Sequence, residues 1–389
     1  MKILQVHTRY REEGGEDAVV RTEAELLTQA GHEVVPYLAR NPSRPVPSTA
    51  LLAVSSWNPL AAKELRRFAE RVRPDVAHVH NTWYALSPSV LAALTDVGVP
   101  VVMTLHNYRL LCANAQLFRD GRPCQDCIGS HPWHGVRHRC YHGSVLASTA
   151  ASATIALNRL ASTWERHIAL FLTMTEFSRQ RFVAGGLPAE RIWVKPHSVA
   201  DPGRRPALPS TSRIILYVGR LSAEKGLPVL IDAMADLPKA DLQLLIIGDG
   251  PERSALERRA GPGVRFTGRL EPAQIRDHML RGRALAFPSV LYETFGMSVV
   301  EAMAAGLPVI ASDLGGTREI IGDGPGRLIP PGDVAAWRVA LQGLRDSTFL
   351  EQASGAARQR WELKFSPAAV LPMLEEAYRW AIQSKQARS

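Results

Sequence analysis

The chain has 389 residues, 46% hydrophobic and 21% charged, and its 46 basic against 37 acidic side chains give a formal charge of +9. That length suits two domains of about 200 residues each, and the composition excludes disordered, fibrous and disulfide-rich classes. Positive charge favours anionic membranes or phosphate-bearing ligands, but no RRM, helix-turn-helix or zinc-finger spacing accompanies it, so no nucleic-acid partner is expected.

The opening MKILQVHTRY begins directly as a strand, without the basic segment and long apolar core of a signal peptide. The longest uncharged run, residues 140–158, is rich in Ala, Ser and Thr. It falls short of the roughly 20 strongly apolar residues that span a bilayer. A cytoplasmic location is expected, with peripheral contact on the inner face of the plasma membrane. Helical spacing over residues 17–30 ends at Gly31, a suitable C′ glycine. HEVVPYLA, PDVAHVH and PVVMTLH read as strands, with a helix over 89–97 between the last two, and FLTMTEF and RIWVKPH follow. Alternating strands and helices predict a parallel, doubly wound α/β sheet.

Residues 201–212, DPGRRPALPSTS, are Pro-rich and aperiodic and read as a linker. The pattern then restarts with RIILYVGRL, a helix over 227–236, LQLLIIGDG, a helix over 252–260, VRFTGRL, ALAFPSV and PVIASD. The expected organisation is an amino-terminal domain over 1–200 with a Cys/His-rich insertion at about 108–143, the linker, and a carboxyl-terminal domain over 213–366. An amphipathic helix over 367–389 then stands in position to cross back and brace the first domain. Two doubly wound units place strand carboxyl ends and helix amino termini towards a central cleft.

Three segments put Gly and charge where a diphosphate would sit. Gly14 and Gly15 of REEGGEDAVV precede a helix, where backbone N–H groups can approach an anion. GRLSAEKG places Arg220 and Lys225 after a strand, a rigid fork and a mobile ammonium suited to two phosphates. ETFGMSVVEAMAAG sets Glu293 before a helix and Glu301 about a turn into it, carboxylates that suit vicinal sugar hydroxyls. His106 ends the strand VVMTL. Trp337 and Leu341 have core spacing and carry no chemistry.

Taken in order, GGED, TLHNYR, GRLSAEKG, IIGDGP, ETFGMSVVE and SDLGGTREI resemble the family 4 retaining glycosyltransferases of the GT-B fold across the whole chain. The resemblance implies two Rossmann-like domains facing a central cleft, a nucleoside-diphosphate sugar donor, and a glycan or lipid-linked acceptor in cell-surface polysaccharide or lipopolysaccharide assembly. It assigns Glu293 to donor-sugar hydroxyls, Glu301 to the ribose, Arg220 and Lys225 to the diphosphate, and Gly14 and Gly15 to close backbone approach. Amides of Phe295, Gly296 and Met297 would hold donor groups, Gly268 to Leu270 would edge the base, and His106 would touch the transferred sugar. No Asp-x-Asp pair occurs, so no catalytic divalent metal is expected. One departure is that His197-Ser198 follows IWVKP where the family commonly has Asn-Gly.

Cys112, Cys124, Cys127 and Cys140 all fall in 29 residues, with Cys124 and Cys127 at metal-ligand spacing. Structural zinc is the leading reading, beside unbound reduced thiols and redox chemistry. Arg109, Arg119, Arg122, Trp133, Arg137, Arg139 and Tyr141 suit a phosphorylated lipid carrier or anionic membrane, and residues 145–172 read as ordinary packing or a membrane-facing helix. The competing functions are a sugar-nucleotide epimerase or glycan phosphorylase on the same fold, or a non-enzymatic zinc-bearing surface-binding protein.

Overall fold

The computed structural model describes residues 1–9, 14–41, 54–235, 237 and 242–386. Two compact units emerge. The first comprises residues 1–117, 124–196 and 371–389, and the second residues 118–123 and 197–370.

The first unit is a six-stranded sheet in the order β2-β1-β3-β4-β7-β8. Its strands are β1 (Lys2–Arg9), β2 (Glu33–Arg40), β3 (Val76–Asn81), β4 (Val101–Thr104), β7 (Leu170–Thr173) and β8 (Ile192–Val194). Every pairing is parallel. β3, β4 and β7 are buried at every position, as expected of parallel strands covered on both faces. Strand order reverses between β1 and β3, which places a topological switch point at their carboxyl ends. The short antiparallel pair β5 (Phe118–Arg119) and β6 (Arg122–Pro123) groups with the second unit.

Helix Gly15–Gln29 follows β1, with Gly14 as its N-cap. Gly31 adopts φ +83°, the left-handed conformation that ends the helix at low cost. The terminal helix Pro367–Gln386 starts in the second unit and enters the first, where Leu374, Ala377, Tyr378 and Ala381 join Ile3, Leu27, Val102 and Leu172 in one apolar cluster.

The second unit repeats the architecture in the order β11-β10-β9-β12-β13-β14, all parallel. Its strands are β9 (Ile214–Val218), β10 (Gln243–Ile247), β11 (Val264–Gly268), β12 (Ala284–Phe287), β13 (Val309–Ser312) and β14 (Gly326–Ile329). The order reverses between β9 and β12. Trp337 and Leu341 are fully buried in the core beside Leu230, Leu244 and Ile310. Helix Leu227–Ala235 ends before Asp236, which lies outside the described residues.

Two sequence readings change, and the Pro-rich segment read as a linker proves to be anchored by side chains. Arg205 donates to the carbonyls of Met279 and Gly282 at 3.0 and 2.6 Å, Arg283 donates to those of Ser210 and Ser212 at 2.8 and 2.6 Å, and Asp201 pairs with Arg358 at 2.6 Å. Arginine forks anchor a chain that has no periodicity of its own. Residues 145–172 are not one helix. Helix Val145–Leu160 stops, a separate short helix Thr163–His167 follows, and β7 begins at Leu170. The remaining change is to strand PVVMTLH, which ends at Thr104 and leaves His106 in the loop beyond.

Candidate active site

In the second unit the β9 loop is stitched to the loop after β12. The amide of Val290 donates to the carbonyl of Glu224 at 3.0 Å, and the Lys225 ammonium meets Glu293 Oε1 at 2.6 Å. Ser289 Oγ donates to the same carboxylate oxygen at 2.8 Å, so Glu293 is buried and held by two donors. Gly226 makes this approach possible, because it sits at φ +68° and a Cβ there would lie 2.1 Å from the carbonyl oxygen of Pro288. Arg220 is exposed beside them and pairs with no described acid.

Helix Met297–Ala304 opens at this edge from Gly296, which is left-handed at φ +86°. Glu301 lies in the helix, and burial pushes its carboxyl above the ordinary value. The Phe295 ring faces inward, edge-on to His197 at 5.2 Å and to Phe365 at 5.8 Å. Only its main chain is therefore available to a ligand. Gly268 ends β11 at φ +76°, with Leu270 two residues on. The site thus occupies the carboxyl edge of the β9/β12 switch point, where open α/β sheets bind ligands.

In the first unit the corresponding edge carries the start of helix Gly15–Gln29. Asp17 fixes that start, accepting from the Gly14 amide at 2.9 Å through Oδ2 and contacting His7 Nε2 at 3.0 Å through Oδ1. Residues 11–13 of the REEGG reading lie outside the described residues. A Cβ at Gly15 would meet nothing within 4 Å, so internal packing does not demand glycine there. His106 is buried, and its Nε2 lies 3.0 Å from His80 Nδ1. Beside the pair lies a cavity of about 50 Å³ lined by Asn81, Trp83, His106, Asn107 and Arg109 among others.

Residues 203–360 match the family described as glycosyl transferases group 1, and residues 14–200 match glycosyltransferase family 4. The 2-deoxystreptamine glucosyltransferase of Streptomyces kanamyceticus is 30% identical over 323 residues, covering 79% of this chain and 77% of that protein. The chain belongs to the family 4 glycosyltransferases. A phosphatidyl-myo-inositol mannosyltransferase of Mycobacterium leprae is 28% identical over 342 residues, covering 86% of this chain and 81% of its own. The crystal structure of Anabaena Alr3699/HepE with UDP and glucose shares the fold at TM-score 0.68 and 20% identity, over 97% of this chain and 98% of that one. Both units of this glycosyltransferase are the Rossmann-like halves of a GT-B fold. No helix among the described residues is long and apolar enough to cross a membrane.

Beneath His106 the glycosyltransferase holds a charge network that sequence reasoning missed. Glu23 Oε2 meets the buried Lys195 ammonium at 2.6 Å, and Glu23 Oε1 lies 2.9 Å from His78 Nδ1 and 3.5 Å from His80 Nε2. The only trio of potential metal ligands within 4.8 Å of one another among the described residues is Glu23, His78 and His80. An ion pair explains it better than a metal. Lys195 already supplies the cation, and both nitrogens of His78 are taken, Nε2 by Thr104 at 2.7 Å and Nδ1 by Tyr378 at 2.8 Å. The signal lay in AHVHN, where two histidines two apart fall on one face of a fully buried strand.

The cysteines form no such trio. None of the four forms a disulfide, Cys112 donates to Asn114 Oδ1 at 2.9 Å, and burial pushes the Cys127 thiol up to about 12, with Cys112 adding to the shift. Arg109 stacks over Trp83 at 4.7 Å and Tyr141 at 5.0 Å, so it serves the protein's own packing before any lipid phosphate.

Acid should loosen the first unit at this network. Burial holds His80 and His106 well below 6.5, with His78 and His80 respectively adding to the shift. Unfolded histidines take up protons below about 6.5 while these folded ones do not, so stability falls as pH drops from there. For Glu23, burial acts upward, but Lys195, His78 and His80 outweigh it and hold the carboxyl well below 4.5. Its contribution is complete above the unfolded value of about 4.3 and is lost as pH falls through the depressed one. Hydrogen exchange of β1 and β3 amides, corrected for intrinsic rate, should show less protection at pH 5.5 than at pH 7.5.

Proposed function

We propose that this glycosyltransferase moves a sugar from a nucleoside-diphosphate donor to a glycan or lipid-linked acceptor in cell-surface polysaccharide or lipopolysaccharide assembly. It does so with retention of configuration and without a catalytic divalent metal. The observation that carries the reading is the Lys225–Glu293 pair at 2.6 Å, with Arg220 exposed in the same loop and paired with no described acid. Arg220 and Lys225 meet the charge that develops on the departing diphosphate, which is worth several kcal/mol in a water-poor site. Glu293, oriented by Lys225 and Ser289, accepts from sugar hydroxyls, and Glu301 accepts from the ribose. Amides of Phe295, Gly296 and Met297 hold donor groups, and Gly268 to Leu270 edge the base.

In the first unit the Gly14–Gly15 backbone receives a phosphate, and His106 meets the transferred sugar. The acceptor attacks from the face that the nucleotide leaves, through an oxocarbenium-like transition state, and the departing phosphate takes the acceptor proton. The exposed Leu146, Leu157 and Leu160 of helix Val145–Leu160 support peripheral contact with an acceptor-bearing membrane at the cytoplasmic face.

Thermal shift and donor hydrolysis across UDP- and GDP-sugars test the reading. Stabilisation by at least one nucleotide together with turnover of its sugar is expected, and silence across the panel refutes it. Gly15→Ala gives a finer check. The added methyl has open space in the protein and sits in a helix, so melting should not fall. Donor KM should rise about tenfold or more, since one lost bond to a charged group costs about 1.5–3 kcal/mol. Metal analysis of protein purified without chelator addresses the cysteines separately.

A further inference from the structure

We infer that Glu23, acting through His80, fixes which ring nitrogen of His106 carries the proton and so serves as a positioning residue for the transfer reaction. The inference rests on the reading that His106 meets the transferred sugar.

The geometry is a chain of three groups. Glu23 Oε1 stands 3.5 Å from His80 Nε2, and His80 Nδ1 stands 3.0 Å from His106 Nε2. His80 Nε2 is buried and makes no hydrogen bond of its own, and the oxygen it approaches is Glu23 Oε1, which also lies 2.9 Å from His78 Nδ1. Glu23 is fully ionised, because its other oxygen is held by the Lys195 ammonium at 2.6 Å. A carboxylate only accepts, and a neutral imidazole has one N–H. The His80 proton is therefore drawn to Nε2, since a lone pair there would confront the anion. His80 Nδ1 is left as an acceptor, and the 3.0 Å contact then requires His106 Nε2 to be the donor. The lone pair of His106 falls on Nδ1. A buried acid that orients one imidazole through its far nitrogen is a familiar device, here extended through a second ring.

Among the described residues, six charged or titratable groups press on this relay. They are His7 on β1, Glu23 on helix Gly15–Gln29, His78 and His80 on β3, Lys195 after β8, and Tyr378 on the terminal helix. Lys195 cannot accept, so it anchors only the carboxylate.

Glu23→Gln supplies the test. Lys195 needs an acceptor and draws the Gln carbonyl, which places the amide N–H₂ where Oε1 was, facing His80 Nε2. The relay then inverts: His80 Nε2 accepts, Nδ1 donates, and the His106 proton moves to Nδ1. In full-length protein labelled with ¹⁵N-histidine, a coupling across the hydrogen bond should show the proton on His106 Nε2 in the wild type. In Glu23→Gln it should lie on His80 Nδ1. The same polarity in both proteins overturns the inference. Since no substrate is involved, this result stands apart from any failure of the glycosyltransfer reading, which would appear as a wild type without turnover.

With turnover established, Glu23→Gln should lower kcat about tenfold or more with donor KM within about twofold. His80→Phe breaks the relay while retaining the Glu23–Lys195 pair. Adding Glu23→Gln to it should change kcat no further, whereas an equal loss in both backgrounds would mean that Glu23 acts through the fold alone.

Discussion

Arg220→Ala should lower kcat/KM for sugar transfer by about 100- to 1,000-fold, the loss typical of removing one preorganised donor from a developing negative charge. Its melting transition should stay within about 0.5 kcal/mol of the wild type, because the side chain is exposed and pairs with no described acid. That separation of activity from stability is what makes the experiment decisive. Lys225→Ala should show a comparable loss with a second symptom. Glu293 would lose the 2.6 Å partner that orients it, leaving only Ser289 at 2.8 Å. Donor KM should then rise as well as kcat fall, in steady-state assays across donor concentration. Undiminished transfer by Arg220→Ala would remove the electrostatic basis of the proposed mechanism.

Lys195→Ala should destabilise the first unit by about 3–5 kcal/mol, the usual consequence of stripping one partner from a buried ion pair. Glu23 would be left as a buried anion with only imidazoles around it. The measurement is chemical denaturation followed by hydrogen exchange on β1 and β3, so that the first unit is read separately from the second. Replacing both members, as Lys195→Met with Glu23→Leu, should recover most of the loss, because the penalty belongs to the uncompensated charge rather than to missing packing. A Lys195→Ala protein as stable as the wild type would show that Glu23 is neutral in the fold.

The strands were legible because apolar runs such as RIILYV and LQLLII are bounded by glycine and correspond to buried parallel strands. Loop chemistry was legible for the same reason. GRLSAEKG and ETFGMSVVE follow strands that turn out to flank the β9/β12 switch point. What stayed hidden depends on contacts distant in sequence. Glu23 and Lys195 are 172 positions apart, and neither looks unusual in its own segment. The arginine anchoring of the Pro-rich stretch escaped for a similar reason, since Arg205 reaches carbonyls 74 and 77 residues away. The break in residues 145–172 was missed because alanine- and serine-rich text has weak periodicity, and the helix buries its small residues while leaving leucines outside.

The terminal helix has a consequence for how the polypeptide matures. Residues 374–381 cover apolar side chains of β1, β3, β4 and β7, and Tyr378 caps His78, 300 positions earlier. During synthesis the first sheet must therefore wait, partly uncovered, until residues 374–381 have been made, whereas residues 197–370 already contain the core of the second unit. The half made first is the half completed last, and excising residues 1–200 as an independent fragment would strand an unsealed apolar face prone to association.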